Sequence, residues 1–173
     1  MKIAGLVQDS IVDGPGLRFA VFAQGCKFSC EGCHNPTARD IGGGREMTVD
    51  EIIREMEKNP LTDGLTLTGG EPFLQAEECA LLAQAAREKG LDVWVYSGYT
   101  FEELFARAGA EPGIAAMLGA ADVLVDGQFV LSERSLSAKW RGSTNQRLID
   151  VPRSLAAGAA VEASEDKEGD LYD

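Results

Sequence analysis

No stretch of this sequence approaches the roughly 18 to 20 consecutive apolar residues that a membrane span requires, and no basic N-terminal segment leads into an apolar run. These absences predict a cytoplasmic chain with no membrane attachment. Basic residues are also scarce: 16 Lys and Arg stand against 28 Asp and Glu, a net charge of -12. Such a surface repels a phosphate backbone and excludes nucleic acid as the expected partner. Cysteine is limited to four residues, and Cys26, Cys30 and Cys33 crowd into one short loop. In a reducing compartment they sit too close together for a useful disulfide staple, so they read as metal ligands. Cys79 is left over and reads as a small apolar packing residue. Histidine is represented by His34 alone.

What is present suffices for one compact domain: 173 residues, 45% of them hydrophobic, make a core that needs no staple. The domain is expected to span residues 1–150, with 151–173 as a C-terminal extension. There Glu162, Glu165, Asp166, Glu168, Asp170 and Asp173 surround Lys167 with few apolar residues between them. That composition predicts a solvated, disordered tail.

Between these limits, strands alternate with helices. LRFAVFAQ, from Leu17 to Gln24, is short, apolar and closed by Gly25, the pattern of a buried strand. Thr48 and Glu51 form a capping box ahead of Ile52, Ile53 and Met56, and Asn59-Pro60 ends that helix. GLTLTGGEP reads as strand and turn, followed by a helix over 75–89 that stops at Gly90. LDVWVYS is a third strand, Thr100 and Glu103 cap the helix FEELFARA, and ADVLVDG is a fourth strand. This order predicts an α/β fold with a mainly parallel sheet. Four such strands are too few for a closed eight-stranded barrel, so a partial, open (β/α) barrel is expected. The cysteine loop, Gly69-Gly70-Glu71-Pro72, Ser97-Gly98-Tyr99 and Asp126-Gly127 all follow strands. Sites in parallel sheets gather at that rim.

The cysteine spacing, Cys-x3-Cys-x2-Cys, offers three thiolates to one centre. Structural zinc takes four protein ligands, and His34, directly after Cys33, cannot easily turn onto the same metal. A four-iron cluster held by three cysteines leaves one iron open for a cofactor or substrate.

This loop resembles the signature of the radical S-adenosylmethionine superfamily. Gly69-Gly70-Glu71-Pro72 resembles the superfamily's second motif, and Asp13-Gly14-Pro15-Gly16-Leu17-Arg18 is similar to the activating enzymes of glycyl-radical proteins. Within that group, GCHNP (32–36 with its preceding cysteine loop), YSGY (96–99), DVLVDGQF (122–129) and RGSTNQRLID (141–150) are most similar to the activators of anaerobic ribonucleoside-triphosphate reductases. Two positions depart from the pattern. Gly32 stands where the superfamily often has an aromatic residue, and Thr37-Ala38-Arg39-Asp40 runs where the group tends to carry a tryptophan.

The resemblance implies a 4Fe-4S cluster on Cys26, Cys30 and Cys33, with S-adenosyl-L-methionine at the open iron. Reductive cleavage of that cofactor yields a 5′-deoxyadenosyl radical, which takes hydrogen from a glycine of the large reductase subunit. Gly32, Cys33, His34, Gly69, Gly70, Glu71 and Pro72 are the expected cofactor contacts, joined by Ser97, Asp126 and Arg141. Asp13, Gly14 and Pro15 are expected to meet the substrate protein. A flavodoxin-like protein is the implied electron donor. Other readings are activation of a different glycyl-radical enzyme such as pyruvate formate-lyase, a small-molecule reaction such as deazaguanine synthesis, and a non-catalytic iron-sulfur electron carrier. The RGSTNQR segment, read on its own, is a polar surface loop able to bind a carboxylate or a partner chain.

Overall fold

The computed structural model describes residues 1–163. Among these residues seven strands form one sheet: β1 (Lys2–Ser10), β2 (Arg18–Ala23), β3 (Arg45–Glu46), β4 (Gly64–Gly69), β5 (Asp92–Tyr96), β6 (Val123–Asp126) and β7 (Arg147–Asp150). Their order is β3-β1-β2-β4-β5-β6-β7. The four strands legible in the sequence are β2, β4, β5 and β6, and they make the parallel centre of the sheet. Antiparallel neighbours extend it on both sides, β1 and β3 at one end and β7 at the other. The sheet is open, as a partial barrel requires.

Side-chain alternation divides this sheet into two faces. Leu65, Leu67, Val93, Val95, Leu124 and Ile149 enter the large core together with Ile52, Leu82, Ala83, Ile114 and Met117 from the helices. Trp94, Val123, Val125 and Leu148 face the other way and form a second cluster, against which Tyr96, Trp140 and Ala163 pack. The strands are covered on both faces, which explains their near-continuous apolar composition.

The helices are α1 (Val49–Met56), α2 (Ala76–Glu88), α3 (Phe101–Ala108), α4 (Pro112–Ala120) and α5 (Val151–Ala157). Both capping boxes are present: Thr48 and Glu51 satisfy the first N–H groups of α1, and Thr100 and Glu103 those of α3. The helix expected over 75–89 is shorter, because Pro72–Gln75 forms a 3-10 turn first. Gln75 is then used as a brace, its amide donating to the Lys2 and Gln24 carbonyls while its oxygen accepts from the Lys2 N–H. In this way the second motif is tied to the ends of β1 and β2.

Val151 and Ser154 of α5 are buried, the Asp150 N–H donates to the Val161 carbonyl, and the Ala163 N–H donates to the Leu148 carbonyl. The chain to residue 163 is therefore joined to the sheet, and the acidic tail expected beyond it lies outside the described residues.

Candidate active site

The four loops at the carboxyl ends of β2, β4, β5 and β6 converge on one open cavity of about 600 Å³. Cys26, Cys30 and Cys33 line it from the first loop, Gly69, Gly70 and Glu71 from the second, Ser97 and Gly98 from the third, and Gly127, Gln128 and Phe129 from the fourth. His34, Arg141 and Asp13 line it as well. Convergence of separate loops on one rim is what a parallel sheet imposes on its βα connections.

Main-chain hydrogen bonds seat the cysteine loop. The Gly25 N–H donates to the Ala38 carbonyl at 2.7 Å, the Cys26 N–H to that of Arg39 at 3.1 Å, and the Cys33 N–H to that of Cys30 at 3.3 Å. All three thiols are half-buried. Burial pushes the Cys26 thiol up, the Phe28 N–H partly offsets this, and charge on Glu71, Cys30 and Cys33 adds to the rise. A bound metal ionises a coordinating thiol outright and overrides that preference.

The donor set is three half-buried thiols lining one cavity. A four-iron cluster distributes its thiolates over separate irons, and with three cysteine ligands its fourth iron stays open. The residues present fit that group. Cys79 is fully buried in α2, as its packing role requires.

The glycine pair is required by close approach of two chains. A Cβ on Gly70 would stand 2.3 Å from the Gly25 carbonyl oxygen and 2.7 Å from that of Ala38. Gly69, at φ +99, lies equally close to Ala23. Glycine there lets the second motif press against the base of the cysteine loop.

Glu71 is buried, with both carboxylate oxygens engaged. Oε1 accepts from the Phe73 N–H at 3.1 Å and the Ser97 hydroxyl at 2.9 Å, and Oε2 accepts from the Gly98 N–H at 2.8 Å. Glu71 thus joins the second loop to the third, and the Ser97 hydroxyl points to Glu71. Burial outweighs these donors and raises the Glu71 pKa from 4.5 to about 7. Because the folded state then holds this proton more tightly than the unfolded chain, its contribution to stability is full below about pH 4.5 and is lost as pH rises through about 7. For the metal-free protein we expect stability to fall by on the order of 3 kcal/mol across that window through this group. Chemical denaturation at pH 5 and pH 7.5 checks it: Glu71→Gln should flatten the difference, and an unchanged slope would refute the assignment.

Other expected contacts are placed differently. Asp126 is buried and does not line the cavity. Its carboxylate accepts from the Phe101 N–H and from Arg147. Pro72 is buried at the start of the 3-10 turn. Gly32, at φ +73, backs onto Leu131 and Phe129 and also lies off the cavity. Gly14 packs under the sheet against Arg18 and Trp94, and the Pro15 carbonyl accepts from Arg18, so only Asp13 of that trio reaches the cavity. The RGSTNQR segment is not a plain surface loop, since Ser143 is wholly buried. Trp140, Phe28 and Arg39 line the cavity without having been expected to. Trp140 had a signal in its place directly before RGSTNQR, as Phe28 had within the cysteine loop. Trp140 is the unusual one. It has a left-handed backbone, φ 62, and meets Trp94 edge to face at 6.0 Å between centroids.

Comparison with known proteins agrees with this site. Residues 12–149 match a family described as a 4Fe-4S single cluster domain. An anaerobic ribonucleoside-triphosphate reductase-activating protein of Vibrio cholerae is 35% identical over 144 residues, covering 79% of this chain and 89% of its own length. Proteins of the same name from Escherichia coli, 35% identical, and Haemophilus influenzae, 34% identical, cover 79% of this chain and 90% and 89% of their own lengths. With the cysteine loop, the glycine pair and the open parallel sheet brought to one cavity, the chain belongs to the family of anaerobic ribonucleoside-triphosphate reductase-activating proteins.

Proposed function

We propose that this chain activates an anaerobic ribonucleoside-triphosphate reductase by generating a glycyl radical on its large subunit. The observation that carries the reading is the meeting of three cysteines and the Gly69-Gly70-Glu71 turn in one open cavity. Cys26, Cys30 and Cys33 would hold a 4Fe-4S cluster, and the glycine turn would take the amino group of S-adenosyl-L-methionine. When bound, the cluster and cofactor supply one-electron reduction and a radical able to abstract hydrogen.

The protein's own residues bind and position. The main chain of Gly69 and Gly70 offers close approach, and buried Glu71 holds the second and third loops in register. His34 and Arg141 stand at the cavity wall, where each can meet the cofactor. Asp13 is held at the cavity wall by its own neighbours: its carbonyl accepts from the Thr66 hydroxyl at 2.7 Å, and its carboxylate accepts from the Ser10 hydroxyl. That placement suits a contact with the main chain of an incoming glycine loop. The cavity is open, so the docked subunit would supply the wall that excludes water. A cytoplasmic setting keeps the thiols reduced, and a flavodoxin-like protein is the proposed electron donor. Among the described residues no helix is long and apolar enough to cross a membrane.

The direct test is anaerobic. The reconstituted protein is reduced and mixed with S-adenosyl-L-methionine and an anaerobic reductase large subunit. Formation of 5′-deoxyadenosine together with a glycyl signal in electron paramagnetic resonance supports the reading. Cofactor cleavage without a glycyl signal would refute the choice of substrate, and an intact cluster without cleavage would refute the chemistry.

A further inference from the structure

The loop after β6 is pinned along its length by the segment that leads into β7. Arg147 pairs with Asp126, the Gln146 amide donates to the Gly127 carbonyl at 2.9 Å, and the Asn145 amide donates to the Gln128 carbonyl at 2.8 Å. Further along, the Val130 N–H donates to the buried Ser143 hydroxyl at 3.2 Å. Phe129 is wedged between two glycines: a Cβ on Gly142 would lie 3.0 Å from its ring, and one on Gly32 3.3 Å from it. Its ring also meets that of His34 at 4.9 Å between centroids. RGSTNQR is thus a clasp that fixes the Gly127–Phe129 backbone against the cysteine loop.

This clasp brings the Gln128 side chain to the cluster ligands. Its Oε1 lies 3.8 Å from Cys30 Sγ, in the geometry of a thiol donating to an amide oxygen. A cysteine bound to iron has no S–H, and its sulfur can only accept. A half-turn of the carboxamide exchanges its oxygen for the NH2 group and converts the same contact into N–H to sulfur. Asn145 grips the main-chain carbonyl of Gln128 and leaves the side chain free to make that turn.

We propose that Gln128 donates a hydrogen bond to the sulfur of Cys30 when Cys30 holds the cluster, and that this bond raises the cluster's reduction potential. The inference rests on the cluster reading of the proposed function. Its physical basis is that a reduced cluster carries one more negative charge, so a donor at its thiolate stabilises the reduced form more than the oxidised one.

The test compares the full-length wild type with Gln128→Leu and Gln128→Glu, each reconstituted anaerobically, by iron content and by redox titration without cofactor or reductase. We expect full iron in all three. The potential of Gln128→Leu should shift negative by about 59 mV, a tenfold change in the reduced-to-oxidised ratio for a one-electron couple. Gln128→Glu should lie further negative, since a carboxylate accepts only and adds charge. Equal potentials across the three would overturn the inference. Wild type labelled with 15N in its glutamine side chains gives a measurement independent of variant folding. A nitrogen coupling to the reduced cluster in pulsed electron paramagnetic resonance supports the bond, and its absence overturns it. A wild type that binds no iron would overturn the cluster reading together with this inference, whereas a full cluster without coupling overturns the inference alone.

Discussion

Replacing Cys30 with alanine should abolish four-iron cluster assembly and reduce S-adenosyl-L-methionine cleavage to background, while the metal-free protein melts within a few degrees of the metal-free wild type. The loop owes its shape to main-chain hydrogen bonds at Gly25, Cys26 and Cys33, none of which needs the Cys30 side chain. Cys30 is half-buried, and the polar contact of its sulfur is with Gln128. Truncation away from a packed core costs about 0.5 kcal/mol or less. Comparison of metal-free forms is essential, because metal binding is itself folding free energy. Cys79→Ala is the control with the opposite profile. Cys79 is fully buried in α2, so its loss should cost about 1 kcal/mol of stability and leave the cluster intact. Iron and sulfide assays with calorimetry check both variants. A full cluster in Cys30→Ala would show that the ligand set is wrong.

The contrast between these cysteines was legible in the sequence, since spacing separates three clustered thiols from one within a helical apolar face. The four parallel strands were legible for a related reason. Each is a short apolar run ended by glycine or a turn, and the capping threonines mark where two of the helices begin. What escaped is non-local or without periodicity. α4 is buried at Ile114, Met117, Leu118 and Ala120 but carries little charge and two glycines, so no polar face outlines it. β1 mixes buried and exposed positions irregularly, and its register with β2 shifts twice. β7 has four residues and was absorbed into the polar RGSTNQR reading. Asp126 closes β6 at the rim and so resembled a site residue, yet its carboxylate is taken by Arg147 and the Phe101 N–H. Pairings between such distant positions leave no local trace. Gln128 belongs to the same class, since its relation to Cys30 depends on a clasp from a third segment.

Arg18→Leu should cost about 3 kcal/mol, the largest stability loss we expect from one side chain. The guanidinium is fully buried where β2, β4 and β5 begin. It donates to the Thr66 hydroxyl at 3.1 Å, the Pro15 carbonyl at 3.1 Å and the Leu65 carbonyl at 2.8 Å, and it pairs with Asp92. The sheet makes room for it: a Cβ on Gly64 would stand 2.1 Å from Arg18 Nη1 and 1.9 Å from Asp92 Oδ1. Leucine would leave these acceptors without their donor. The Asp92 side chain is 46% exposed and would recover hydration, which holds the cost at the lower end for a broken buried pair. For a domain of this size the melting temperature should fall by about 6 to 12 °C. The functional effect should be selective. Arg18 holds the Pro15 carbonyl, and Thr66, which it also contacts, holds the carbonyl of Asp13, so the loop bearing Asp13 would loosen. The cysteine loop is anchored at the other end of β2 and should assemble its cluster normally. Under conditions where the variant is folded, uncoupled cofactor cleavage should persist while glycyl radical yield falls and the KM for the reductase rises. An unchanged melting temperature would refute the energetic argument, and loss of cluster and glycyl radical together would refute the independence of the Asp13 loop from the cysteine loop.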